Sequence, residues 1–211
     1  MAWYPDLGAR PWWDPAAIPL ARDLTANAAA IAAEFRALDA ALFRAEVEPI
    51  ARQGGWDVCM LFERGRKNDD VCAAMPMATA VIERNRTVRD LAGLAYLSRL
   101  APHSRVSPHR GPTNQRLRCH LGIEVPDGCG IRVGDETRTW REGSCIIFDD
   151  SFEHEVWNES DRERIVLIVD LWHPDLSDDE AALLDGLYRF VDAAGANLAA
   201  YRGRNDAALS T

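Results

Sequence analysis

The sequence is short of several things, and each shortage excludes a class of protein. It contains no CxxC pair, and its five cysteines (Cys59, Cys72, Cys119, Cys129 and Cys145) are an odd number. Cys119 and Cys145 stand inside apolar runs, where a thiol behaves as a small hydrophobe, so reduced core thiols are expected rather than a disulfide framework. Basic charge is in deficit, with a formal net charge of -9 over 211 residues. A phosphate backbone must be met by clustered Lys and Arg, so no nucleic-acid partner is expected. No apolar run approaches the length of a membrane span, and no span is expected. The opening MAWYPDLGARPWWDP lacks the basic and apolar regions of a secretory signal, which makes a cytoplasmic protein the expectation. No linker, internal repeat or low-complexity tract interrupts the chain. With 47% hydrophobic residues it can bury one sizeable core, and a single domain over 1–211 is predicted.

The N-terminal part reads as mostly helical. Trp3, Trp12 and Trp13 are packing anchors, Asp14 is an N-cap, and Pro15 takes the first helical position, where a missing N–H costs nothing. Leu24, Ile31, Phe35, Leu38 and Leu42 recur at helical spacing, which predicts an amphipathic helix over Thr25–Glu46 lying on a sheet. Val58 to Phe62 reads as a strand followed by an exposed loop, Met75 to Arg84 as a short helix, and Tyr96 to Leu100 as a strand. Near the C-terminus, Ser177 and Glu180 form a capping box ahead of a helix with Leu183, Leu187, Phe190 and Val191 on one face. A polar tail follows from Arg202.

The stretch from Pro108 to Pro174 holds four of the five histidines. Its segments are short, β-rich and closed by turn residues, which predicts a mainly β core with flanking helices and polar side chains on one inner face. Alternation in LRCHLGIEV sends Leu117, Cys119, Leu121 and Ile123 to one face and Arg118, His120, Gly122 and Glu124 to the other. In RIVLIVDLW it sets Arg164, Val166, Ile168 and Asp170 against Ile165, Leu167, Val169 and Leu171. Cationic groups gathered in one pocket repel unless an anion separates them, and a dicarboxylate would meet that need. The alternative is that Arg116, Arg118, Arg132, Arg138 and Arg164 are solvated strand residues.

His109 and His154 could meet from adjacent strand ends on one ion, and neutral imidazole suits Fe, Zn, Cu or Ni; ordinary hydrogen-bonded histidines are the alternative. A three-ligand iron site would want a carboxylate two residues after the first histidine. That place is Gly111, which either removes the iron or leaves a water there. His173 is expected to bond backbone at a strand-to-helix junction, and His103 to face solvent. Asp149 and Asp150 are expected to shape the turn before His154, with a hydrogen bond to its imidazole as an option.

Three segments, HRGPTNQRLRCHLGIEVP, DETRTWREGSCIIFDDSFEHEVWN and IVDLWHPDL, closely resemble the catalytic domain of the aspartyl/asparaginyl β-hydroxylase family. The resemblance extends upstream through YPDLGARPWW, GGW and RGRKNDDVCAAMP. It implies a double-stranded β-helix fold (jelly roll, cupin-like) and oxidation with Fe(II), O2 and 2-oxoglutarate. In this family two histidines hold the iron without a protein carboxylate; His109 and His154 match them, and Gly111 agrees with the pattern. Arg164 matches the arginine on the distal carboxylate of 2-oxoglutarate, with Ser98 as a helping hydroxyl. Arg118 and His120 match residues near the metal-chelating end of that cosubstrate, and Arg116 matches a substrate contact.

What the resemblance implies is hydroxylation at the β-carbon of an Asp/Asn-type residue in a peptide or protein. Relatives that act on EGF-like modules carry Gln at the place of Val58, a cysteine near Thr79 to pair with Cys72, and helical repeats ahead of the domain. These departures bring a small acidic amino acid, a short peptide or a biosynthetic intermediate into the substrate range. The same cofactors acting on a free amino acid, lipid or natural-product intermediate is thus one alternative, and a non-catalytic jelly-roll domain that binds a carboxylate is another.

Overall fold

Apolar residues alternating in short segments pair edge to edge when each segment can bury one or both faces. In the computed structural model, which describes residues 3–46, 52–89 and 92–208, they form thirteen strands: β1 (Trp12–Trp13), β2 (Arg44–Ala45), β3 (Arg52–Gln53), β4 (Trp56–Glu63), β5 (Arg66–Lys67), β6 (Leu94–Leu100), β7 (Ser104–His109), β8 (Arg116–Glu124), β9 (Cys129–Val133), β10 (Glu136–Arg138), β11 (Cys145–Phe148), β12 (His154–Asn158) and β13 (Arg164–Trp172). One sheet has the order β1-β11-β8-β13-β6-β4-β2, with β5 on β4, and the other the order β10-β9-β12-β7-β3. From β6 onward the chain passes back and forth between the two sheets, and the neighbours it makes in each are antiparallel. The fold is therefore mainly β with flanking helices, a double-stranded β-helix, as the resemblance implied.

The period-two pattern sorts the core. Leu117, Cys119, Leu121 and Ile123 from β8, with Ile165, Leu167, Val169 and Leu171 from β13, pack outward in one cluster with helical residues such as Leu24, Ile31, Val71, Met75 and Ile82. Val58, Met60, Val166 and Ile168 pack inward in a second cluster with Val106, Ile131, Val133 and Val156 of the other sheet. Each such side chain stabilises the fold by roughly 1.5–3 kcal/mol through removal of apolar area from water. All five cysteines are buried and free, as expected, and burial pushes the Cys59 thiol up to about 11.

The helical part differs from expectation. In place of one helix over Thr25–Glu46 there are α1 (Pro19–Ala26) and α2 (Ala28–Ala37), followed by a single 3-10 turn and then β2. Asn27 makes the break: its amide Nδ2 donates to the Asp23 carbonyl at 2.8 Å, the local side-chain bond with which Asn competes against helix continuation. Asp39 opens the turn after α2 by accepting from Ala41 N. The segment expected as an exposed loop after β4 contains β5 and α3 (Asp69–Ala74), whose N-cap Asn68 accepts from Val71 N at 3.3 Å. Helix α4 (Pro76–Arg84) lies where expected.

The chain divides into two compact units, Met1–Asp175 and Leu176–Thr211. The second is α5 (Asp178–Ala208), opened by the expected capping box in which the Ser177 backbone N–H donates to Glu180 Oε2 and the Glu180 N–H to Ser177 Oγ. This helix continues through the segment read as a polar tail, and Leu183, Leu187, Phe190 and Val191 are exposed on it. Among the described residues no helix is long and apolar enough to cross a membrane.

Candidate functional site

The register of β7 and β12 sets His109 directly opposite His154, with a pairing irregularity just beyond it. Their ring centroids are 4.1 Å apart. Each imidazole turns Nδ1 to the carbonyl two residues before it, His109 to Ser107 at 2.8 Å and His154 to Phe152 at 2.9 Å. A carbonyl can only accept, so Nδ1 carries a proton in both rings, and in the neutral form of each Nε2 is the lone-pair nitrogen. Burial, followed by the proximity of His109, depresses the pKa of His154 to about 3, so its ring is neutral at physiological pH and in the protonation state that binds metals. Among the described residues no group of three or more His, Cys, Asp or Glu side chains is arranged so that it could hold a metal ion; the pair could offer two nitrogen donors.

Gly111 owes its place to Asp150. A Cβ at position 111 would collide with the Asp150 carboxylate, and Gly111 N donates to the Asp150 carbonyl at 2.6 Å. Asp149 shapes the turn as expected, accepting from Ser151 N at 2.9 Å. The optional bond from this Asp pair to the His154 imidazole is not made, because Nδ1 is committed to Phe152; Asp150 turns to arginines instead.

Those arginines divide into two kinds. Arg118 reaches Asp170 at 2.9 Å and Asp150 at 3.4 Å. Arg116 reaches the same two carboxylates at 3.2 and 3.3 Å and donates to the Ala92 carbonyl. Asp170 is opposite Arg118 in the β8–β13 register and also accepts from Leu94 N. Burial works against the Arg118 charge, but Asp170 and Asp150 overcome it and raise its pKa well above the ordinary range. The separating anion that the sequence demanded is, at this end, supplied by the protein.

Among the described residues Arg164 has no such partner. It is 2% exposed, its Nε meets no acceptor, and its guanidinium stands 5.0 Å from the Trp140 ring centroid. Burial lowers its pKa to about 10, with no carboxylate among the groups that oppose the shift. The solvated-strand reading therefore fails for Arg116, Arg118 and Arg164. It holds for Arg132 and Arg138, which pair with Glu153, Glu155 and Glu136 nearer the surface.

His120 is buried beside this second end. Its Nδ1 accepts from Trp140 Nε1 at 3.3 Å, its Nε2 has no partner among the described residues, and burial, then Arg118 and Arg164, push its pKa well below the usual histidine value. Phe148 bridges the two halves, its ring 5.0 Å from His120 and 5.3 Å from His154. Ser98 is buried opposite Val166 on β13, two positions along from Arg164, and accepts from Trp56 Nε1 at 3.0 Å. His109, His154, His120, Arg116, Arg118, Arg164 and Ser98 thus come from strands of the two facing sheets.

The other two histidines stay apart, as expected. His173 faces the Gly8 carbonyl through Nε2 and accepts from Asp175 N, while His103 is exposed and pairs with Asp161. Sequence reasoning missed Asp170 as the counter-ion and Trp140 as the neighbour of both His120 and Arg164. Alternation had already put Asp170 on the inner face, but its partner is set by inter-strand register.

A family model described as Aspartyl/Asparaginyl beta-hydroxylase matches residues 25–174. The chain is 41% identical over 189 residues to the aspartyl/asparaginyl beta-hydroxylase of Mus musculus, covering 86% of this chain and 26% of that one. It is 38% identical over 140 residues to aspartate beta-hydroxylase domain-containing protein 2 of Homo sapiens, covering 64% and 38%. It therefore spans about a quarter to two fifths of the length of these relatives. Among solved structures, a Pseudomonas putida prolyl-4-hydroxylase is similar with a TM-score of 0.47 and 19% identity, over 76% of this chain and 99% of that one. A cupin-like protein from Thermotoga maritima gives 0.38 and 13%, over 63% and 79%. By the family match and the sequence identity together, the chain belongs to the aspartyl/asparaginyl beta-hydroxylase family.

Proposed function

We propose that the protein is an Fe(II)- and 2-oxoglutarate-dependent hydroxylase acting at the β-carbon of an Asp/Asn-type residue in a peptide or protein. The observation that carries this reading is the cross-strand pair His109 and His154, both pinned through Nδ1 to backbone carbonyls. Two imidazoles pinned through Nδ1 fit iron with their Nε2 atoms, and a two-residue donor set would leave it with coordination positions for small ligands. When bound, iron with 2-oxoglutarate supplies activation of O2 and delivery of one oxygen atom to a C–H bond, with succinate and CO2 as the other products.

The remaining roles fall to this chain's own groups. Arg164, a buried cation without a counter-ion, binds the distal carboxylate of 2-oxoglutarate, with the Ser98 hydroxyl beside it. His120 offers an Nε2–H donor to the chelating end of the cosubstrate, near Arg118. Arg116 keeps its Nε without an acceptor, available to a substrate carboxylate. Phe148 and Trp140 exclude water and hold the reacting groups in place. Five buried free thiols suit a reducing compartment, and the cytoplasm is the proposed location.

Val58 favours a second reading of the substrate. It is fully buried in the inward cluster and lacks the amide of the Gln that stands there in relatives acting on EGF-like modules, which brings a free acidic amino acid or a related small carboxylate into range. The deciding experiment is an anaerobic titration with Fe(II) and 2-oxoglutarate, where a weak visible charge-transfer band is expected and His154→Ala is expected to retain no iron. In air, acidic amino acids and peptides are screened for succinate release coupled to a mass gain of one oxygen atom. No band and no succinate would instead favour a non-catalytic carboxylate-binding module.

A further inference from the structure

Trp140 touches two of the groups given to the cosubstrate, and each contact uses a different part of its indole. The N–H donates to His120 Nδ1 at 3.3 Å, with the two rings 6.0 Å apart and within 6° of parallel. The ring face carries the Arg164 guanidinium at 5.0 Å. Trp140 is itself 3% exposed and packs in the inward cluster with Val166 and Ile168, so neither contact is a loose surface encounter.

The indole N–H can only donate, and that fixes the chemistry of its neighbour. A neutral imidazole that accepts at Nδ1 carries its proton on Nε2, and the Nε2 of His120 is a buried atom with no acceptor among the described residues. The other tautomer would present a lone pair there and repel a carboxylate. The direction of the Trp140 bond therefore decides whether His120 attracts or rejects an anion. The same indole fixes where the second donor stands, since Arg164 has no carboxylate to hold it and rests against the ring.

We infer that Trp140 is a positioning residue that holds His120 in the Nε2–H tautomer and seats Arg164, so that both present donors to one carboxylate-bearing ligand. The inference rests on the 2-oxoglutarate reading for the identity of that ligand, while the tautomer itself is a property of the protein alone. Two measurements separate them.

The first is a histidine 15N–1H correlation spectrum of the metal-free wild-type chain. A single Nε2–H tautomer for His120, with Nδ1 hydrogen-bonded, is expected; an Nδ1–H tautomer overturns the inference without reference to any variant. The second compares the wild type with Trp140→Phe, which removes the N–H and keeps an aromatic face, and with Trp140→Leu, which removes both. In Trp140→Phe the His120 signals should move toward mixed tautomers. Its affinity for 2-oxoglutarate, titrated with Mn(II) in the absence of O2, should fall about tenfold, the scale of a lost hydrogen bond to a charged group. Trp140→Leu should fall further, with the metal itself still bound. Unchanged His120 signals and unchanged affinity in Trp140→Phe would overturn the positioning role. A wild type that gives the expected tautomer but takes up no 2-oxoglutarate would support the tautomer assignment and overturn the cosubstrate reading.

Discussion

Two ends of one interior handle buried positive charge in opposite ways. At the end built from β8 and β13, Arg116 and Arg118 share Asp150 and Asp170. At the other, Arg164 is as deeply buried and, among the described residues, has the face of Trp140 and no carboxylate. A buried ion pair is held together by its own attraction, whereas a buried lone cation is stabilised only when something brings in a negative charge. The first end therefore has its charges paired within the chain and the second carries an uncompensated cation, and charge balance, more than residue type, tells them apart.

The comparison can be broken most severely at the finished end. Asp170→Asn takes away one of the two carboxylates shared by Arg116 and Arg118 and is expected to cost about 3–5 kcal/mol of stability in denaturant unfolding, as breaking a buried pair does. A loss below about 1 kcal/mol, the range of exposed pairs, would mean that water reaches these arginines. At the open end the sign of the stability effect should reverse. Arg164→Met should weaken 2-oxoglutarate by roughly 2–5 kcal/mol in a calorimetric titration, yet leave the ligand-free protein at least as stable, because an uncompensated charge is gone. A ligand-free variant that melts well below the wild type would show that Arg164 is structural.

Acid provides a gentler probe of the uncharged groups. Burial lowers the pKa of His120 and of His173 below their unfolded value near 6.5. The unfolded chain then takes up protons that the folded chain refuses, so their contribution is complete above pH 6.5 and is lost as the pH falls below it. The expected slope is at most about 1.4 kcal/mol per pH unit for each ring. Thermal melts through this range should show it, and His173→Asn should remove only its own share. A flat profile would mean that both imidazoles already exchange with water.

The residues that were legible in advance share a physical reason. Alternation places a side chain on a face without knowledge of the partner strand, so the inner positions of Arg118, His120, Arg164 and Asp170 could be read from β8 and β13 alone. The motifs that resemble the hydroxylase family brought His109 and His154 together before any register was known. The partner of Arg118 could not be read this way, because Asp170 lies opposite it only through the β8–β13 register. Trp140 stands in an irregular stretch between β10 and β11, where no period predicts direction. The helix break at Asn27 was missed for a local reason: apolar spacing continues across it, while a capping amide ends the hydrogen-bond ladder.

The crowding at Gly111 has a consequence for redesign. A carboxylate cannot simply be grafted two residues after His109, since the volume it needs belongs to Asp150, and Asp150 helps neutralise Arg116 and Arg118. Installing Asp or Glu at 111 would evict that carboxylate and unbalance both arginines together. The environment of the histidine pair and the arginine lattice are thus one solution to a shared packing problem, and neither can be exchanged while the other is kept.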